Sequence, residues 1–458
     1  MVFSSLTFLF FFLPLYLGGL RVVDGTPAKI PFLTALSLAF YAWGEPLFLA
    51  VMLASIVGNW WVGLRLERAS SGFLLVWSVA GNLLLLALLK YAAFLTGIAA
   101  SFLPVPAAMI AFAERIPLPI GISFFTFQSI SYLVDVHRRE TPAQPSCLTY
   151  AAYISAFPQL IAGPIVRYSE VRRDLESPDR TPVEEVWAGL QVFATGLVLK
   201  VCLANPAGAV ADAVFGVAPA TLTTASAWLG ISCYFVQIFF DFSGYSTMAI
   251  GLGRCAGLRF PDNFASPYRA GSITEFWRRW HQTLSSFFRD YVYIPLGGNR
   301  AGASRTYLNL VIVFLLCGLW HGAAWTFVAW GAFHGLLLLL ERAVGVAGRP
   351  LPAPLGQVYT FLLVCAGWVL FRASSLQEAV AYYQALLGVN TAVRPTAEFA
   401  GPASWLVLGI AALVIYVPLE GLGRRLPRLR PITLATGSAL SVWLLVAGTH
   451  NPFIYFRF

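Results

Sequence analysis

Charge is what this chain has least of. Only 11% of its 458 residues are Asp, Glu, Lys or Arg, where a soluble globular protein carries about 25%. With 58% hydrophobic residues and a mean hydropathy of +0.72, that scarcity excludes an ordinary soluble enzyme and implies an integral membrane protein. Lysine is confined to Lys29, Lys90 and Lys200, so arginine carries most of the formal charge of +9. The basic residues lie in short loops beside apolar runs, which reads as cytoplasmic loops and not as a nucleic-acid surface. Cysteines 147, 202, 233, 255, 317 and 365 show no CxxC or ligand-like spacing, so neither a disulfide framework nor a zinc site is indicated. There is no GxSxG elbow, no HExxH and no Walker sequence. Gly251-Leu-Gly253 and Gly297-Gly298 are too short to cradle a phosphate. No repeat of the halves is visible, and no extramembrane segment is long enough to fold by itself. The chain therefore reads as one polytopic domain over residues 1–458.

What remains is a succession of apolar runs near spanning length: about 2–20, 30–44, 46–64, 72–89, 91–113, 117–136, 149–165, 186–204, 227–253, 306–340, 357–371, 403–419 and 432–449. Some are short enough to be re-entrant or interfacial, so the expectation is an all-α membrane protein with roughly 10–13 crossings. The first run lacks a basic n-region and leads directly into further spans, unlike a signal peptide. Arg21 and Lys29 just after it predict an external N-terminus by the positive-inside rule.

The run from Thr306 to Leu340 stands apart. As one helix it would reach about 50 Å, against a hydrocarbon core of about 30 Å, so something must break it. Gly318 and Gly322 bracket Leu319-Trp320-His321 and predict the break there. A charged group at that depth costs about 2.5–3.5 kcal/mol, so ionisable residues in such places are usually functional. Histidine titrates near working pH and suits proton abstraction from a hydroxyl. The alternative for His321 is a packing hydrogen bond between helices. His334, thirteen residues on, would face elsewhere on a continuous helix and reads as structural. His137 looks like an anchor at a span end, and His450 sits in the C-terminal tail.

Two charged features remain. Asp241, in Phe239-Phe-Asp-Phe-Ser-Gly-Tyr245, lies inside an apolar run one turn after Gln237. It either lines a cavity near the site or pairs with a buried arginine such as Arg278 or Arg279. The segment 254–305 carries Arg254, Arg259, Arg269, Arg278, Arg279, Arg289, Arg300 and Arg305 among many aromatics. Within it Ser272-Ile-Thr-Glu275 reads as a capping box. Ile273, Phe276, Trp277, Trp280, Leu284, Phe287, Phe288 and Tyr291 then form one broad face of a basic amphipathic helix, the kind that lies in a membrane interface. His281 falls on or beside that face, a second candidate for chemistry. Pro295 and the paired glycines end the helix.

These segments are recognisable. Asp241-Phe-Ser-Gly-Tyr245, Ser272-Ile-Thr-Glu-Phe-Trp-Arg-Arg-Trp-His281, Phe288-Arg-Asp-Tyr291, Ile294-Pro-Leu-Gly-Gly-Asn-Arg300 and Cys317-Gly-Leu-Trp-His-Gly322 resemble the membrane-bound O-acyltransferase family. Within it they look most like the bacterial alginate O-acetylation membrane proteins. Pro119-Ile-Gly-Ile-Ser-Phe-Phe-Thr-Phe-Gln128, Tyr132-Leu-Val-Asp-Val136, Phe157-Pro-Gln-Leu-Ile-Ala-Gly-Pro-Ile165 and the Phe453-Ile-Tyr-Phe456 tail agree, so the likeness runs from about residue 117 to the end. It implies a ring of spans around a central funnel, with the family's main histidine at His321 and its second at His281. Asp241, Trp277, Arg278, Arg279, Trp280 and Trp320 would support the site or bind substrate. It further implies acetyl-CoA as donor with no permanently bound cofactor or metal, an inner-membrane location, and delivery of acetyl to an exopolysaccharide such as alginate, directly or through a periplasmic partner. The same branch includes D-alanyl transfer to teichoic acids and acetylation of cellulose or peptidoglycan. From outside the family, a polysaccharide transporter or a non-catalytic scaffold are the competing readings.

Overall fold

The computed structural model describes residues 1–177, 179–300, 302–390, 393–417, 429–448 and 451. His450 and the Phe453-Ile-Tyr-Phe456 tail lie outside them. The described residues are helical apart from turns and one isolated bridge between Leu222 and Arg394. The helices used below are α1 (Leu49–Ala69), α2 (Gly72–Lys90), α3 (Val183–Phe215), α4 (Thr224–Cys255), α5 (Ile273–Arg279), α6 (Gln282–Phe288), α7 (Ala303–His321), α8 (Trp325–Ala343) and α9 (Leu355–Arg372). Six of these, namely α1, α2, α3, α4, α7 and α9, are long and apolar enough to cross a bilayer, and shorter apolar helices lie at Phe8–Val23, Pro402–Tyr416 and Pro431–Ala447. The protein is an all-α polytopic membrane protein.

Six full-length spans among the described residues are fewer than the apolar runs suggest, because several runs do not form one long helix. Residues 91–113 divide into Ala92–Ala100 and Ala107–Glu114, and 149–165 into Cys147–Ser155 and Phe157–Leu160. Pro106 and Pro158 cannot donate the bonds a continuous helix requires. The run at 117–136 yields Ile122–His137, only 16 residues long and buried along almost all its length, with His137 at its end as expected.

The chain groups into two compact units, Met1–Phe193 with Ala249–Pro261, and Ala194–Met248 with Asp262–Phe458. In the first, α1 and α2 are joined at Ser70 and Ser71, with the Ser71 hydroxyl capping α2. Asn59 and Asn82 exchange amide hydrogen bonds of 3.1 and 2.7 Å between these two spans, polar glue where lipid offers no alternative partner. Several loop charges of this unit pair with one another. Lys29 pairs with Asp24 at 2.8 Å, Arg259 with Asp174 at 2.7 Å and Arg254 with Glu185 at 2.6 Å. Burial raises the Asp24 carboxyl, but the Lys29 ammonium and the Thr181 amide outweigh it and leave it below its usual value.

In the second unit, α7 and α8 form an antiparallel hairpin without room for side chains between parts of its backbones. A Cβ on Gly318 would lie 2.3 Å from the Phe327 carbonyl oxygen, and one on Gly331 2.3 Å from that of Phe314. Small residues at such contacts let apolar helices approach closely. The expected break is real: His321 is the last residue of α7, and Gly322 (φ −166°, ψ 152°) and Ala324 (φ −149°, ψ 155°) are extended before α8 starts. All six cysteines are free.

Candidate active site

The basic amphipathic segment is two short helices and not one long one. Ser272 caps α5 by accepting from the Glu275 amide at 3.0 Å, as expected, but the Glu275 carboxylate reaches the Gly271 amide, not that of Ser272. The helix stops at Arg279, and His281 takes a left-handed backbone (φ 45°, ψ 55°) before α6 begins. No glycine or proline marks this turn. It is held from outside: the Asn263 carbonyl accepts the Gln282 amide at 3.0 Å, and the Arg279 carbonyl accepts the Ala265 amide at 3.0 Å.

That turn carries the His281 ring inward, to 1% exposure. Its Nδ1 lies 2.9 Å from Asn263 Oδ1, and Phe242 packs edge-on at 4.7 Å between centroids. His281 lies outside the spanning helices, and burial lowers its imidazole to about 3, so it is neutral at physiological pH. It lines a cavity of about 600 Å³ whose walls include Trp277, Leu284, Phe288, Phe314 and Cys317, with Arg278 and Arg289 also at its surface.

His321 ends α7 in an aromatic enclosure: Trp330 and Phe371 present ring edges at 5.1 Å each, and Trp320 stands at 4.9 Å. Trp320 also contacts His281 at 5.8 Å, so one indole touches both candidate histidines. At 6% exposure, against 1% for His281 and 0% for His334, His321 is the least buried of the three histidines, though all three are buried. The hairpin also corrects the reading of His334. The 322–324 break cancels the continuous-helix argument, and α8 returns His334 to the same cluster. There His334 Nδ1 accepts from Trp277 Nε1 at 3.3 Å, and its ring touches Trp330 at 5.0 Å.

The remaining candidates divide. Trp277 lines the cavity, and Trp280 is a buried core ring stacked on Phe276 and tilted against Trp368. Arg278 is exposed at the cavity, whereas Arg279 is tied to Glu275. Asp241 pairs with neither arginine; its partner is Lys200 at 3.0 Å, both side chains almost fully buried, and Lys200 also donates to Asn205 Oδ1 at 2.6 Å. Lys200 belongs to the π-turn Leu199–Ala204 inside α3, where the widened helix accommodates the ammonium.

Two supporting residues were not anticipated. Asn263 has no motif to announce it. Glu341, near the end of α8, looks in sequence like an ordinary helix-terminal charge, yet it is 1% exposed. It accepts from the amides of Ile273 (2.5 Å) and Thr274 (2.8 Å), from the Thr274 hydroxyl (2.7 Å) and from the Tyr359 hydroxyl (3.1 Å). Its carboxylate therefore satisfies the open N-terminus of α5, an arrangement suited to negative charge. A charged residue directly after five apolar leucines was the available signal. No group of three or more His, Cys, Asp or Glu that could hold a metal occurs among the described residues.

The site thus places the two candidate histidines in an apolar, aromatic-rich enclosure beside a cavity with arginines on its surface. That environment favours a base acting on a hydroxyl and protects a reactive acyl group from hydrolysis. Comparison with known proteins identifies the family. The family model for the membrane-bound O-acyltransferases matches residues 70–354. The chain is 45% identical over 402 residues to the probable alginate O-acetylase AlgI of Pseudomonas aeruginosa, covering 85% of this chain and 76% of that protein. It is 43% identical to the probable alginate O-acetylase AlgI of Azotobacter vinelandii, covering 94% and 87%. To the peptidoglycan O-acetyltransferase of Helicobacter pylori it is 36% identical, covering 85% and 80%. With its motifs, its helical membrane fold and these relatives in agreement, the chain belongs to the membrane-bound O-acyltransferase family and is an O-acyltransferase.

Proposed function

We propose that this protein moves an acetyl group from cytoplasmic acetyl-CoA, through the inner membrane, to hydroxyls of an exopolysaccharide of the alginate type, directly or through a periplasmic partner. His321 takes the proton from the acceptor hydroxyl as its oxygen attacks the thioester carbonyl. The carbon–sulfur bond then breaks, the thiolate recovers the proton, and the products are an ester and free thiol. His281 positions a substrate in the adjoining cavity, and Arg278, exposed at that cavity, is available to the donor's phosphates. Acetyl-CoA enters as substrate, with no resident cofactor.

The observation that carries this reading is the placement of His321 at a helix end, inside an aromatic enclosure, one indole away from His281. The similarity to probable alginate O-acetylases supports the acceptor class. A positioned base of this kind is worth about 10²–10⁴-fold. The test is purified protein in lipid nanodiscs with radiolabelled acetyl-CoA and alginate oligomers, together with polymer ester content in a deletion strain. His321→Ala should abolish ester formation at unchanged protein abundance. Normal ester content with His321→Ala would sink the mechanism. Transfer from an aminoacyl carrier protein in place of acetyl-CoA would redirect the reading to D-alanylation.

A further inference from the structure

The contacts around His281 go beyond placing it; they select which ring nitrogen carries the proton. Asn263 Oδ1 lies 2.9 Å from His281 Nδ1 and also receives the Thr283 hydroxyl at 3.0 Å and the Thr283 amide at 3.4 Å. A backbone N–H can only donate, so the Asn263 atom that faces it is the carbonyl oxygen. That oxygen can only accept, and Nδ1 must then be the protonated nitrogen. In a neutral imidazole the other nitrogen is bare. His281 Nε2 is buried and has no hydrogen-bond partner among the described residues, and the ring lines the cavity of about 600 Å³.

We infer that Asn263 is a positioning residue that locks His281 in the Nδ1–H tautomer, so that Nε2 serves as a hydrogen-bond acceptor for an O–H or N–H group of the substrate. The inference rests on the acyl-transfer reading of the same site and sharpens it. An Nε2 lone pair cannot polarise a thioester carbonyl, which needs a donor. It can orient a hydroxyl or an amide N–H and hold it against the apolar wall formed by Trp277, Leu284 and Phe288. Polarisation of the carbonyl is thereby removed from the tasks open to His281. The Asn263 side chain acts together with its main chain, whose carbonyl accepts the Gln282 amide at 3.0 Å. One residue therefore fixes both the turn and the proton.

The experiment is nitrogen NMR on the full-length protein in lipid nanodiscs, with histidine labelled at both ring nitrogens. The chain has five histidines, and the His281 pair is assigned by its loss in His281→Gln. At about pH 8, well above the ordinary imidazole range, wild type should show protonated Nδ1 and bare Nε2. Asn263→Ala should shift the pair toward the other tautomer and slow acetyl transfer by about 10²-fold. Asn263→Asp, which retains the acceptor, should keep Nδ1–H and return the rate to within about tenfold of wild type. A wild-type spectrum with protonated Nε2 overturns the inference, even if Asn263→Ala fails to fold. So does an Asn263→Ala protein whose tautomer and rate are both unchanged. The spectrum needs no turnover, so an enzyme inactive with acetyl-CoA would count against the proposed donor and leave the tautomer result standing.

Discussion

Removing the Glu341 carboxylate should loosen the site from a distance. Its two oxygens receive four donors: Ile273 N and Tyr359 OH on Oε1, Thr274 N and Thr274 Oγ1 on Oε2. Hydrogen bonds to a charged group contribute about 1.5–3 kcal/mol each, and an abandoned buried donor costs about 1–3 kcal/mol. These terms do not add fully, because the Thr274 hydroxyl is only partly buried and can turn to the cavity it lines. A net cost of about 3–5 kcal/mol for Glu341→Ala follows. Glu341→Gln keeps one accepting oxygen and turns an N–H₂ toward the other donor pair, so about 1–3 kcal/mol is expected. Three of the four donors belong to the first turn of α5, which carries Trp277 and leads directly into His281. A displacement there by a fraction of an ångström should slow transfer by about 10–10²-fold. Equilibrium unfolding in mixed SDS micelles reads the first effect, and labelled acetyl transfer the second. Glu341→Ala within about 1 kcal/mol of wild type would refute the capping argument. Destabilisation as predicted with a full transfer rate would refute the link to the site.

Three further outcomes are expected. Gly318→Ala places a Cβ 2.3 Å from the Phe327 carbonyl and should cost about 1–3 kcal/mol with loss of transfer. Gly81→Ala, with nothing within 4 Å, should be neutral or stabilising by up to about 1 kcal/mol, and both are read by thermal unfolding in detergent. Lys200→Met leaves Asp241 buried without its cation, an expected loss of about 3–5 kcal/mol, whereas the double change with Asp241→Leu should recover most of it in the same assay. Burial lowers His281 from 6.5 to about 3, so it contributes stability above pH 6.5 that is lost as pH falls toward 3. Across that window the unfolded chain binds a proton that the folded chain refuses, at about 1.4 kcal/mol per pH unit. Stability measured against pH should lose about one proton's worth of slope in His281→Gln; an unchanged slope would contradict the buried neutral imidazole.

How much could be read before the fold was known depended on whether the deciding contact was local. The break after His321 was legible because chain length against bilayer thickness demanded one and the glycines marked it. The turn at His281 was not, since the groups that hold it, from Asn263 to Ala265, lie outside the segment whose periodicity reads as one helix. His334 was misplaced by a sound angle applied to a helix that does not continue. The partner of Asp241 was missed for a related reason. Arg278 and Arg279 were the numerous basic residues nearby, whereas Lys200 is a solitary lysine on another helix, accommodated by a π-turn that periodicity does not reveal. The family and the candidate histidines were legible in local motifs; the long-range hydrogen bonds around those histidines were not.

The left-handed backbone at His281 has a cost of its own. A side chain with a Cβ in that region gives up about 1–2 kcal/mol that glycine would not. His281→Gly should therefore relax the turn, subject to loss of the ring contacts, while His281→Asn suits the same backbone with a smaller polar group. Either substitution removes the imidazole on which the proposed reaction depends. Glycine there recovers at most about 1–2 kcal/mol, less than the roughly 2–5 kcal/mol lost by emptying a buried ring's site, so a screen for heat-resistant variants should retain the histidine. Robustness and turnover would then be selected in the same direction at a single strained residue.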